Sequence, residues 1–218
     1  MGSITRSLAN NITTGGVILP AGITNSSVSA VTSFANASGG TLILLSTQTA
    51  SNSATISFTT GLDSTYDMYE FKFIDIHPRT DIADFTFNMS TDAGSNYNVT
   101  KTTTFFRSIH DEADTYTNLT YDSGVDLAQS TSFQKLALDI GNGADESCAG
   151  KLQIFNPSST TYVKHFIADI SLYTQDNFNE YNLSAGYGNT TSAINAIQFK
   201  MDTGNFDGII KLYGLKKS

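Results

Sequence analysis

The sequence has no tryptophan, a single cysteine and only three histidines among its 218 residues. Since Cys148 has no second cysteine to pair with, an intrachain disulfide is excluded. No apolar stretch of about 18 residues occurs, so we expect no transmembrane helix. The opening residues, MGSITRSLANNITTGG, lack the apolar core of a signal peptide. Without a signal peptide, the protein is predicted to be made in the cytoplasm. Because histidine and cysteine are scarce, the sequence also predicts that it is not an enzyme.

Charged residues are also scarce, at 15% of the chain, and acidic residues outnumber basic ones to give a net charge of -8. Phosphate binding needs clustered lysine and arginine, so we expect no nucleic-acid partner, no membrane partner and no cofactor. Uncharged polar residues take the place of charges: 29 Thr, 25 Ser and 17 Asn make up about a third of the chain. This composition favours strands and turns over helices.

Apolar residues alternate with polar ones in many short runs from residue 41 onward, as in Phe85, Phe87 and Met89. We count roughly ten such runs, separated by turn signals, and no long helical period interrupts them. The pattern predicts an all-β, antiparallel β-sandwich over residues 41–218, with a jelly roll as the best specific topology. An immunoglobulin-like sandwich is the alternative, but the Cys…Trp…Cys core of that fold is missing.

Two local features of this strand-rich region carry further predictions. The apolar parity changes after Phe73, from Phe71 and Phe73 to Ile74 and Ile76, which predicts a β-bulge. The segment 92–96, Asp-Ala-Gly-Ser-Asn, predicts a hairpin turn that leads into a strand over 97–106.

Residues 1–40 differ from the rest because they hold one charged residue, Arg6, among many small polar ones. A weak helical face is formed by Val28, Val31 and Phe34. An isolated short segment of this kind is typical of an arm that orders on a partner. The sequence therefore predicts an N-terminal docking arm with Arg6, Val28, Val31 and Phe34 as its contact residues.

The histidines and acidic loops are the first places to look for catalysis or metal binding. His110 lies beside Asp111, Glu112 and Asp114, a set that suits a metal or acid–base cluster but is more typical of a solvated acidic loop. Two acidic turns resemble calcium loops, yet turn chemistry explains both without an ion. We therefore predict no catalytic residue and no metal site. The residues of the two turns are Asp139, Asn142, Asp145 and Glu146, and Asp92 and Asn96.

Aromatic residues are concentrated in one polar stretch near the end of the chain. Tyr173, Phe178, Tyr181 and Tyr187 lie among Asn, Asp and Gly over residues 173–187. Exposed rings in such a setting suit either stacking on a sugar or contact with another protein. The stretch is predicted to form a glycan-binding or assembly surface, the alternative being that its rings fill the core or a sheet edge.

Five stretches of the sequence resemble virion proteins of marine tailed bacteriophages, of the kind found in phages of cyanobacteria and other abundant ocean bacteria. The resemblance spans nearly the whole chain, and it supplies no catalytic motif. The stretches are residues 1–16, 54–78 (ATISFTTGLDSTYDMYEFKFIDIHP), 90–106 (STDAGSNYNVTKTTTFF), 155–171 (FNPSSTTYVKHFIADIS) and 193–215 (AINAIQFKMDTGNFDGIIKLYGL).

The resemblance implies a structural component of the virion that binds other capsid or tail proteins. One role is a capsid decoration or cement protein, or a head fibre, on the particle exterior. The alternative is a tail-fibre or receptor-binding module that recognises host surface glycans. The short chain without heptads or a repeated shaft favours the first role. A homotrimer is expected for either role.

Overall fold

Twelve β-strands make up the regular structure of residues 42–215, the part of the chain that the computed structural model describes. The predicted contact residues of the arm, Arg6, Val28, Val31 and Phe34, lie outside these residues. Nothing helical within 42–215 is long and apolar enough to cross a membrane. The strands are β1 (Leu42–Ser53), β2 (Ile56–Phe58), β3 (Met68–Pro78), β4 (Ala83–Ser90), β5 (Lys101–Asp111), β6 (Thr117–Tyr121), β7 (Gln134–Ile140), β8 (Cys148–Phe155), β9 (Lys164–Tyr173), β10 (Phe178–Gly188), β11 (Ala196–Met201) and β12 (Phe206–Leu215).

The strands form two antiparallel sheets that pack face to face. An eight-stranded sheet has the order β1-β12-β3-β8-β9-β10-β5-β6, and a four-stranded sheet has the order β2-β11-β4-β7. Every pair of hydrogen-bonded neighbours is antiparallel. The predicted all-β antiparallel sandwich is confirmed.

Eight of these strands have the connectivity of a jelly roll. Strands β1-β12-β3-β8 lie opposite β2-β11-β4-β7. The first and last strands are neighbours, and successive strands of these eight change sheet at every step except from β4 to β7. The other four strands enter as two hairpins, β5–β6 between β4 and β7, and β9–β10 between β8 and β11. The hairpins pair through β10 and β5 and widen the eight-stranded sheet beyond β8. We call β9, β10, β5 and β6 the extension.

Phenylalanine rings fill the space between the two sheets of the jelly roll. Phe199 on β11 is at the centre, with its ring centroid 5.1 Å from those of both Phe71 and Phe73 on β3. Phe58 and Phe85 complete this cluster at 6.3 Å and 5.9 Å from Phe199. The edge-on contacts are the favourable geometry for aromatic pairs, and all five rings are buried. This apolar core holds the two sheets together.

The change of apolar parity in β3 is a β-bulge, as predicted. The pairing of β3 with β8 shifts register between Phe73 and Ile76, and Asp75 adopts a positive φ of 50°. On the other neighbour, β12, Gly208 has a φ of 134°, and a Cβ there would lie 2.7 Å from the carbonyl oxygen of Asp75. Glycine is therefore required at this position to let the bulged strand approach.

The predicted hairpin at residues 92–96 is wrong, although the turn itself is present. The Ser95 amide donates to the Asp92 carbonyl at 3.3 Å, but β4 and β5 belong to different sheets. The chain crosses between the sheets, and β5 begins at Lys101 rather than at residue 97. Asn88 holds the crossing segment by donating its side-chain amide to the Tyr97 carbonyl at 2.7 Å. Turn chemistry fixes a change of direction but not the sheet that the next strand joins.

Candidate functional site

Strand β10 carries its polar residues inward and its apolar residues outward. Glu180, Asn182 and Ser184 are buried on the side that faces the four-stranded sheet. Tyr181 and Leu183 point to the opposite, solvent side of the sheet. This is the reverse of the pattern that a half-buried strand of a sandwich normally shows. The outer face of the extension is therefore the most unusual surface among the described residues.

Five large side chains form what we call the apolar stripe on that outer face. The ladder places Leu183 beside Phe106, and Phe106 beside Tyr121, with the last two ring centroids 5.2 Å apart. One step along the strands, Tyr181 and Leu119 flank Ser108. Leu119 leaves 78% of its surface exposed, and a shallow apolar depression of about 300 Å³ lies between these side chains. The stripe consists of Phe106, Leu119, Tyr121, Tyr181 and Leu183.

A second shallow depression, of about 510 Å³, continues the outer face toward the other end of β10. Tyr187 lies beside His165 on β9, with ring centroids 6.1 Å apart. Ile167, the next outward residue of β9, is 41% exposed, and Thr102 and Thr104 line the β5 side. His165 is exposed, as its place on the polar side of a strand predicts.

A third depression lies at the opposite end of the outer face, and seven of the nine residues that line it have polar side chains. It measures about 410 Å³ and is bounded by the segment before β8 and by the loop after β5. We call it the polar groove. Its lining residues with polar side chains are His110, Asp111, Glu112, Ser147, Ser171, Tyr173 and Asn179.

The structure places three of the four predicted aromatic residues on the outer face and one elsewhere. Tyr173 lines the polar groove, Tyr181 belongs to the apolar stripe, and Tyr187 lies at the far end. Phe178 has the parity of Glu180 and faces the other way. Its ring lies 5.9 Å from that of Tyr116, in a separate cavity of about 270 Å³. The prediction that all four rings share one surface is wrong for Phe178, because neighbouring parities of a strand face opposite sides.

Arg107 neutralises a group of carboxylates on the inner side of the extension. Its guanidinium lies 2.5 Å from Glu180, 3.4 Å from Asp122 and 3.8 Å from Asp139. Burial raises the pKa of Glu180, and the bond from Arg107 opposes that rise. Burial likewise raises the pKa of Asp139, helped by the nearby charge of Asp84. The arrangement is a partly buried ion-pair network: Glu180 is buried and depends most on the arginine for its charged form, whereas Asp139 remains exposed to solvent.

The two acidic turns that resemble calcium loops use their carboxylates on their own chain. Glu146 accepts from the Gly143 amide, and Asp139 is engaged by Arg107. Asp92 accepts from the Ser90 hydroxyl at 2.6 Å and from Asn96, bonds that lower the pKa of Asp92 to about 2. Within 42–215, no group of three or more His, Cys, Asp or Glu side chains is placed to hold a metal ion.

The remaining candidates for catalysis are each engaged or buried. Asp114 lies 3.2 Å from Nε2 of His110, with both side chains largely exposed. His77 Nδ1 lies 2.6 Å from the Glu146 carbonyl oxygen. Cys148 is fully buried in the core, and burial raises the pKa of its thiol. A buried thiol with a raised pKa is a poor nucleophile.

Two buried lysines were missed by the analysis of the sequence. Lys101 and Lys164 both pair with Gly188 of β10, and neither exposes any surface. The Lys101 ammonium donates to Asn88 Oδ1 at 2.6 Å and to the Val99 carbonyl at 2.8 Å. Its acceptors are neutral, and desolvation lowers the pKa of Lys101 to about 7. The only signal in the sequence is that each lysine has the inward parity of its strand.

Comparison with known proteins adds no relative to this geometry. No protein-family model, no curated protein and no solved structure matches the chain. The function is therefore inferred from the residues of the outer face and from the resemblance that the sequence itself carries.

Proposed function

We propose that the protein is a non-enzymatic structural component of a phage particle, a capsid decoration or cement protein or a head fibre on the particle exterior. Its apolar stripe would dock onto a neighbouring virion protein. The observation that carries the proposal is the inverted polarity of β10, which buries Glu180, Asn182 and Ser184 while Tyr181 and Leu183 face solvent.

The inversion supports a docking role because it has a cost in the isolated chain. Burying polar side chains gains less free energy than burying apolar ones. The surface that the leucine and aromatic side chains of the stripe leave exposed contributes no free energy of burial in the isolated chain. A second protein that covers the stripe would recover this burial. Clustered aromatic and aliphatic residues without charged ones are typical of the centre of a protein interface.

The charge distribution supports the same role. The protein carries a net charge of -8, yet none of the five side chains of the apolar stripe is charged at neutral pH. Two acidic proteins repel one another less when they meet through uncharged faces. The stripe therefore suits both contact with an acidic virion surface and contact between copies in the expected homotrimer.

Localisation of the protein on intact particles tests the proposal. Gold-coupled antibody against the protein should label the whole head. Particles complemented with a Leu119→Asp variant should lose most of the protein, because the change places a charge on the most exposed side chain of the stripe. Tyr162→Asp is the matched control, since Tyr162 is 71% exposed but lies in the loop before β9. Full incorporation of the Leu119→Asp variant would contradict the docking role.

The second candidate function is a tail-fibre or receptor-binding module that recognises host surface glycans. The specific observation in its favour is that Tyr173, Tyr181 and Tyr187 all lie on the outer face of the extension, open to a large ligand. Antibody label confined to the tail would favour this candidate over decoration of the head.

A further inference from the structure

We propose that the polar groove is a binding site for an uncharged oligosaccharide segment, held between the ring of Tyr173 and the hydroxyl and amide groups around it. The inference deepens the second candidate function, receptor binding, and rests on it. It adds the location of the site and the class of sugar, and it excludes Tyr181 and Tyr187 from direct contact.

The groove has the size and openness that a sugar chain needs. Its volume of about 410 Å³ falls in the range of small-molecule sites, and it opens along the surface rather than into the core. The segment before β8 and the loop after β5 form its two sides, and the neighbouring ends of β9 and β10 lie between them. An extended chain of sugars can therefore enter and leave the groove without a change in the fold.

Three polar side chains in the groove have no internal partner. Ser147, Ser171 and Asn179 donate and accept no side-chain hydrogen bond with another residue of the described range. Asn179 lies between Tyr173 on one neighbouring strand and His110 on the other. By contrast, the Asp111 carboxylate in the same loop is already used by the Thr115 amide. Hydroxyl and amide groups both donate and accept, as the vicinal hydroxyls of a sugar require.

The apolar part of the site is the fixed ring of Tyr173. Its hydroxyl donates to Asn177 Oδ1 at 2.7 Å, which ties the ring to the turn between β9 and β10. Ala149, a small residue, lies next to Ser171 in the ladder and leaves the groove open at this point. A rigid aromatic ring beside free hydroxyl groups suits the C–H face of a sugar ring.

The charges around the groove select against acidic sugars. The carboxylates of Asp111 and Glu112 line the groove. Desolvation, together with the charges of Glu112 and Asp145, raises the pKa of the Tyr173 hydroxyl. His110 is the only basic residue among those that line the groove, and Asp114 lies beside it. Uronic or sialic acids would be repelled, so the ligand is an uncharged sugar.

Titration of the full-length protein with defined oligosaccharides tests the inference. The probes are maltohexaose, cellohexaose, chitohexaose and a β-1,4-galactan oligosaccharide, with oligogalacturonate as the acidic comparison, followed by calorimetry and saturation-transfer NMR. We expect saturable binding to at least one uncharged probe and none to oligogalacturonate. Tyr173→Ala should weaken that binding about tenfold or more, the effect of losing a central aromatic contact.

The variants separate a binding role from a structural one. Tyr173→Phe keeps the ring and should bind within about twofold of the unaltered protein, whereas Asn179→Ala, which removes no internal bond, should weaken binding by about threefold or more. Tyr187→Ala on the same face should have no effect. Binding that survives Tyr173→Ala and Asn179→Ala but is lost in Tyr187→Ala would overturn the groove while leaving receptor binding in place. Binding to none of the probes, or equally to oligogalacturonate, would overturn the groove, whereas antibody label confined to the head would count against receptor binding itself.

Discussion

The two halves of the eight-stranded sheet, β1-β12-β3-β8 and the extension, differ in the polarity of the side chains on their inner faces. Between β3 and β12 the inner face is lined by phenylalanine and aliphatic residues that pack against the four-stranded sheet. In the extension, β10 and β5 present Glu180, Asn182, Thr103 and Lys101 to the interior instead. One half thus obtains its stability from apolar burial. In the other half β9 still contributes apolar residues to the core, but β10 and β5 bury polar side chains, and one of these, Asn182, has no hydrogen-bond partner within 42–215.

The two halves thus differ in where the free energy of folding and the capacity for binding are located. The jelly-roll half buries most of its phenylalanine side chains, and the extension leaves Leu119, Tyr181 and Leu183 on the surface. Apolar surface is unfavourable in water, and this chain does not cover the stripe itself. We therefore expect a partner to cover it. Four measurements test this contrast.

The largest effect is expected at the centre of the phenylalanine cluster. Phe199→Ala should lower the free energy of unfolding by about 3 to 5 kcal/mol, because it removes a ring that contacts five others and leaves a cavity. Tyr181→Ala, an aromatic loss of similar size on the outer face, should cost less than about 1 kcal/mol. Denaturant unfolding of both variants measures the difference, and equal losses would erase the contrast between the halves.

The next effect concerns pH and the buried lysine of the extension. Lys101 has a pKa of about 7 in the folded protein and an ordinary value near 10.5 when unfolded. Between these values the unfolded chain holds a proton that the folded chain has released, so stability should rise with pH from about 7 to 10.5. Since one pKa unit corresponds to about 1.4 kcal/mol, the gain is at most about 5 kcal/mol.

A matched pair of variants tests this pH dependence. Lys101→Met should flatten the curve of unfolding free energy against pH, and Lys211→Met, on the outer face of β12, should leave it as it is. Lys164, whose pKa burial also lowers, contributes in the same direction and leaves a residual slope. An unchanged slope in Lys101→Met would show that Lys101 stays protonated in the fold.

A smaller effect, of opposite sign, is expected on the inner side of β10. The Ser184 hydroxyl is buried and has no hydrogen-bond partner within 42–215. Ser184→Ala should therefore raise the free energy of unfolding by about 0.5 to 1 kcal/mol. Thr103→Val is the contrast, because the Thr103 hydroxyl donates to Gln134 at 2.6 Å and accepts from the Leu127 amide at 2.8 Å. Thermal unfolding should show a rise for the first variant and a fall for the second; a fall for both would mean that Ser184 has a partner in solution.

The smallest effect on stability is expected at the most exposed residue of the apolar stripe. Leu119→Thr should change the free energy of unfolding by less than about 0.5 kcal/mol, because the side chain packs against little in the monomer. The same variant should reduce incorporation into particles. A loss of stability above about 1 kcal/mol would mean that the stripe is covered in the free protein.

Sequence periodicity was sufficient for the sandwich because strands such as β11 bury their apolar parity, Ile197, Phe199 and Met201, and leave the polar residues between them partly exposed. It failed for β10, where the alternation of Tyr181 and Leu183 with Asn182 and Ser184 is equally clear but the polar set faces inward. Alternation with a period of two residues shows that the two faces of a strand differ in polarity, but it does not show which face is buried. That choice depends on which strands become neighbours.

The candidate site was predictable only in part for the same reason. Tyr173 and Tyr187 could be found from the density of aromatic residues, since exposed rings among Asn and Gly are unusual. The polar groove could not, because Ser147, Ser171 and His110 come from segments that are distant in sequence. The pairing of β10 with β5 brings residues 178–188 to residues 101–111, and no local pattern encodes it.

Because the two hairpins are insertions, the outer face can change while the order of the jelly-roll strands is kept. Each hairpin leaves a jelly-roll connection and returns to it without altering the order of the other eight strands. Lengthening, shortening or exchanging β5–β6 would therefore rebuild much of the outer face while the phenylalanine-lined scaffold remained the same. The β9–β10 hairpin can change only its outward residues, because Phe166 and Ile170 of β9 belong to the core. A lineage that changes its neighbours could diversify these positions, and an engineer could graft new recognition surfaces there.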